Sequence, residues 1–186
     1  MLEQAIQHLD LSAHGLWFPI TVSLCLFILA LVLFKRQLTW RDFYITFCVV
    51  GFVGWLCDVI ITRVFNVIDL GDPKVTGLGD ILSYTFIPPS LSVLFLTYLT
   101  AKNKCVLSLL FCAGSLLIEY GMVKSGYMHL NGWFFIYSIV VYFLVMLLCY
   151  HGIWHLLSKK ADVDQHPLFY YALTFYLLKS IFHTDV

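Results

Sequence analysis

Apolar runs of membrane-crossing length follow one another through this chain, separated only by short polar breaks. A hydrocarbon layer about 30 Å thick needs about 20 apolar helical residues to cross it. Lipid offers no partner to a backbone N–H or C=O, so such runs have to satisfy their own backbone groups as helices. Composition agrees: of 186 residues, 61% are hydrophobic and 12% are charged, against about 25% charged in a water-soluble domain. The expected fold class is therefore all-α, a polytopic transmembrane helix bundle forming a single domain over residues 1–186.

Six spans are expected, at about 16–34, 43–67, 80–100, 105–124, 133–157 and 168–183. The last run has 16 residues and contains Lys179. It either crosses with that lysine snorkelling to the headgroups or lies in the interface, leaving five spans and an interfacial C-terminal helix. The opening residues carry Glu3 and Asp10 and no basic cluster, so they lack the form of a cleavable signal peptide and the first run is expected to remain as a span. The breaks are rich in turn formers, as in IDLGDPKVTGLG and SGYMHLNG.

Charge in the loops alternates. Lys35, Arg36, Arg41, Lys102, Lys104, Lys159 and Lys160 fall on one side, whereas only Arg63, Lys74 and Lys124 fall on the other. Basic residues in short loops stay cytoplasmic, so a multi-pass protein of the cell membrane with its N-terminus outside is expected. Net charge is zero and no basic tail is present, so a nucleic-acid partner is not expected. The expected partners are the lipid bilayer, a small solute or lipid, and further copies or other subunits of a membrane complex.

Two carboxylates interrupt the apolar runs, Asp58 in the second and Glu119 in the fourth. An acid in hydrocarbon costs several kcal/mol unless it is paired, protonated or facing water, which makes both functional-site candidates. The predicted topology places both in the outer half of their spans, at the level of Arg63, Asp80, Lys124, His129 and Asn131. Asp58 to Arg63 and Glu119 to Lys124 are each five residues apart, whereas residues on one helical face are three or four apart. The expected partners are therefore on other helices, as Asp58 with Lys124 and Glu119 with Arg63. Tyr84, Tyr120, Ser83 and Thr62 supply hydrogen bonds around them. In the third span Pro88 and Pro89 remove two N–H donors and free the carbonyls near Tyr84 and Thr85, a hinge or a kink. Gly51 and Gly54 are expected to let helices pack closely.

No motif names a reaction. His151 and His155 are four apart without a glutamate between them or a third ligand, and the six cysteines form no CxxC pattern, so no metal and no cofactor is expected. Phosphate-binding and nucleophile-elbow motifs are lacking in chemical context. Three functions stay open: an outer polar pocket that binds or conducts a small solute or proton, a membrane-embedded enzyme acting on lipid or isoprenoid headgroups through Asp58 or Glu119, and a structural or regulatory subunit of a membrane complex.

Four stretches carry a family resemblance. They are Cys57-Asp58, the proline-bearing IPPSLSVLFLTYL, Ile118-Glu119-Tyr120 followed after a glycine-containing turn by Asn131-Gly132-Trp133, and HLLSKK after the fifth span. Over roughly residues 45–160 the chain resembles an uncharacterised family of small polytopic membrane proteins from endospore-forming bacteria. That family usually has glycine where Cys57 stands. The resemblance implies a six-helix membrane domain and brings no activity with it.

Overall fold

The computed structural model describes residues 9–71, 77–100 and 102–148. Among them are five α-helices: α1 (Trp17–Leu33), α2 (Trp40–Asp58), α3 (Leu78–Tyr98), α4 (Lys104–Lys124) and α5 (Phe135–Leu148). Two three-residue strands, β1 (Ile68–Leu70) and β2 (Met128–Leu130), complete the described structure. The fold is all-α apart from this short ribbon. Among the described residues four helices are long and apolar enough to cross a membrane: α1 with the 3-10 turn Phe34–Arg36 that extends it, α2 with the π-helical turn that follows it, α3 and α4. The predicted sixth run at 168–183 and the end of the fifth lie outside the described residues.

Local chemistry sets the ends of these helices. Thr39 caps α2: its hydroxyl receives the Asp42 N–H at 3.4 Å while Asp42 receives the Thr39 N–H at 3.0 Å, a reciprocal pair that starts the helix three residues before the apolar run. At the other end, α2 does not continue to residue 67 as expected. It widens into a π-helical turn over Val59–Val64 and then gives way to β1. Here Val59, Ile60, Ile61 and Thr62 are all β-branched and stiff at χ1, and Thr62 returns its hydroxyl to the Asp58 carbonyl at 2.8 Å. α4 ends in a glycine cap: Gly126 has φ +78°, and the Tyr127 N–H reaches back to the Met122 carbonyl at 3.1 Å.

Helix α3 is the centre. It packs closely on α1 and α2, and α5 packs on α4, whereas α3 and α4 touch little. The contact with α2 depends on glycine. A Cβ at Gly51 would stand 3.4 Å from the Pro89 ring, and one at Gly54 would stand 3.7 Å from both the Pro88 ring and the Tyr84 carbonyl oxygen. That carbonyl is the one Pro88 deprives of its helical donor, so small residues of α2 cover the break in α3. The Trp55 indole N–H adds a bond to the Thr85 hydroxyl at 3.3 Å. The other helices turn large apolar side chains outward, among them Ile28, Val32, Phe52, Leu109, Leu117 and Val140, as a lipid-facing surface does.

The two ends of the bundle differ. One gathers Lys35, Arg36, Arg41, Lys102 and Lys104, all exposed, around a core that includes Phe34, Phe43 and Phe95. The other is closed by the ribbon, in which β1 and β2 pair antiparallel with Ile68 opposite Leu130, Asp69 opposite His129 and Leu70 opposite Met128. Loops read from the sequence as plain turns thus pair with each other. Residues 9–16 fold back onto this end, where the Leu78 N–H bonds the Leu9 carbonyl at 2.8 Å. Gly15 has φ +77°, and a Cβ there would stand 2.3 Å from the Ser125 carbonyl oxygen. Gly15→Ala combines left-handed strain with a backbone collision and is expected to cost at least about 2 kcal/mol, read as a lowered unfolding temperature in detergent micelles.

Candidate functional site

Because α3 and α4 diverge, a cavity of about 180 Å³ opens between α3, α4 and α5 beneath the ribbon. Its wall is mostly apolar: Leu70 and Met128 come from the ribbon, Ile87 and Leu91 from α3, Ile118 from α4 and Val145 from α5. Into this setting project Ser83, Tyr84 and Ser92 of α3, Ser115 and Glu119 of α4, and Tyr142 of α5. Among the described residues none that lines it is basic.

Glu119 is 3% exposed. Its carboxylate accepts the Ser138 hydroxyl at 2.6 Å on Oε1 and the Tyr142 hydroxyl at 2.8 Å on Oε2. Ser138 in turn accepts the Trp133 indole N–H at 2.8 Å. A relay of neutral donors from the start of α5 thus converges on one acid of α4. Such compensation is what lets a polar group remain buried. Each carboxylate oxygen has room for a second hydrogen bond. Ser115 donates to the Phe111 carbonyl at 2.9 Å. Ser83 is 4% exposed, and its hydroxyl has no hydrogen-bond partner among the described residues.

Asp58 reaches the same region from α2. It comes close to Tyr84, and Tyr84 lines the cavity with Glu119. Toward the ribbon, buried Asp80 accepts the Gly77 N–H at 3.1 Å and the Tyr127 hydroxyl at 2.6 Å. This pair secures the start of α3 against the turn after α4. Burial first, then the hydrogen bond to Asp80 and the charges of Asp80 and Asp10, push the Tyr127 phenol well above its ordinary 10.0.

The residues singled out in the sequence divide accordingly. Glu119, Tyr84 and Pro88 line the cavity, Asp58 comes close to Tyr84, and Asp80 is bonded to Tyr127. Pro89 turns to Gly51 instead. Tyr120 and Lys124 are exposed and are not among the lining residues, because one and five positions from Glu119 fall on other faces of α4. Glu119 receives neutral hydroxyls of α5; the side chain of Arg63, its expected partner, lies outside what is described. Ser138, Tyr142, Ser115 and Trp133 were not read from the sequence as site residues. A signal for three of them exists: Ser115 and Glu119 are four apart, as are Ser138 and Tyr142, so each pair shares a helical face. Among the described residues no group of three His, Cys, Asp or Glu side chains is placed to hold a metal ion. Comparison with known proteins finds no matching family, no similar curated protein and no similar solved structure.

Two outcomes are expected. Ser138→Ala leaves Glu119 short of one donor and Trp133 without its acceptor, and costs about 1–3 kcal/mol in unfolding measured in detergent. The second concerns alkali. The folded chain keeps the Tyr127 proton at a pH where the unfolded chain releases it, so the stability linked to this group is full below about pH 10 and is lost as pH rises above it. Tyr127→Phe should flatten that decline, seen by comparing unfolding temperatures of the two proteins across the alkaline range.

Proposed function

We propose that this chain is a six-span protein of the cell membrane, N-terminus outside, whose pocket in the outer half of the bundle binds a small solute. The observation that carries this reading is the cavity of about 180 Å³ with buried Glu119 in its wall. A bundle held only by packing has no need to diverge around a carboxylate. The gap between α3 and α4 forgoes contacts that close packing would supply, and an intramembrane acid in such a gap is a functional-site candidate. The orientation is supported by the basic residues, which gather at the end opposite the pocket. Retention of basic residues on the cytoplasmic side supports a pocket that faces the exterior.

The size of the pocket suggests a solute of six to eight non-hydrogen atoms, since an apolar cavity of about 150 Å³ accommodates benzene. A neutral probe of that size, benzyl alcohol, is expected to stabilise the full chain in phosphatidylcholine nanodiscs, by about 2.7 kcal/mol at 100 times its Kd. Leu91→Trp, which fills the cavity from α3, should abolish the stabilisation while leaving the protein folded. Equal stabilisation of both proteins would place the probe elsewhere and remove the support for the pocket.

A further inference from the structure

We propose that the pocket is selective for protonated amines with a compact apolar body, an aryl or branched-alkyl ammonium; this rests on the pocket being a solute site as described above. Charge is the first ground. The wall presents the carboxylate of Glu119, and no basic residue lines it among the described residues. An anion entering this space meets the like charge of Glu119, whereas an ammonium meets an opposite charge in surroundings where charge-assisted hydrogen bonds are strong.

Hydrogen-bonding capacity is the second ground. The protein uses one acceptor position on each oxygen of Glu119, for Ser138 and Tyr142, and one further position remains on each. An ammonium carries donors and no acceptor, as this carboxylate requires. Independently of the acid, the Ser83 hydroxyl lines the cavity, almost wholly buried and without a protein partner among the described residues. A buried hydroxyl left unsatisfied costs about 1–3 kcal/mol, and a bound N–H offers it a partner.

Shape is the third ground. Tyr84 and Tyr142 both line the space, and tyrosine rings attract cations over their faces. Apart from Ser92 and Ser115 the remainder is apolar, including Ile87, Leu91 and Ile118, and suits a hydrocarbon body rather than a hydrated inorganic ion. The ammonium lies against Glu119, and the apolar body fills the space toward the ribbon.

Three probes of one size and different charge test this on the full chain in phosphatidylcholine nanodiscs at near-neutral pH, with empty nanodiscs as the blank: benzylamine, benzyl alcohol and benzoate, by titration calorimetry. Benzylamine is expected to bind at least about tenfold more tightly than benzyl alcohol, the least that one charge-assisted hydrogen bond contributes, and benzoate more weakly than either. Glu119→Gln should bring benzylamine down to the affinity of benzyl alcohol. Equal affinities for amine and alcohol, or a preference for benzoate, in the unaltered chain would overturn the amine class and leave a neutral-solute pocket standing. Failure of all three to bind would overturn the pocket itself. The comparison on the unaltered chain decides the matter even if the glutamine variant does not fold.

Discussion

A carboxylate held away from water must find donors, and the way Glu119 finds them organises one side of this bundle. Helix association in lipid lacks the hydrophobic driving force available in water and relies on packing and interhelical hydrogen bonds, each contributing about 0.6 kcal/mol and at most about 2. Helix α5 packs chiefly on α4. Its Ser138 and Tyr142 hydroxyls both end on Glu119, and they reach it together only because they share a face. A turn of α5 by one residue would swing both away and strand a buried acid, so the rotation of α5 follows from this contact. Tyr142 and Val145, which form the α5 wall of the cavity, are positioned by it in turn.

The opposite wall has its own constraint. Two consecutive prolines in α3 remove two rungs of the helical ladder, a defect that lipid cannot repair. The chain places this helix at the centre, where other protein covers it. Gly51 and Gly54 bring α2 against the proline rings, and Trp55 bonds to Thr85 beside the break. Centrality and backbone weakness go together here: the helix least able to face lipid faces it least.

Much of this was legible in the residues, and what was not has physical causes. Helix positions follow from apolar runs because lipid leaves the backbone one solution, and the start of α2 at Thr39 has a readable cap in Asp42. The break after Asp58 was missed because a β-branched run is as apolar as a helix interior, and hydropathy does not register stiffness at χ1. The ribbon was missed because three-residue strands inside glycine-rich loops carry no alternation. Glu119 and Asp58 were conspicuous as acids in hydrocarbon. Their partners were not, because a partner on another helix depends on relative rotation and depth, and neither is encoded locally. Seeking cations on other helices pointed to Arg63 for Glu119, whereas the donors found are Ser138 and Tyr142, neutral and separated from Glu119 by a turn and a strand.

The ribbon also bears on how the cavity comes into being. Residues 68–70 and 128–130 are joined across some sixty positions that include all of α3 and α4, and closing so long a loop carries an entropic cost that only prior ordering of those helices reduces. Strand pairing therefore draws on the order of those helices rather than on local sequence. Leu70 and Met128 belong to it and roof the cavity, so the chamber over Glu119 is closed by two segments that only the ordered length of α3 and α4 brings together.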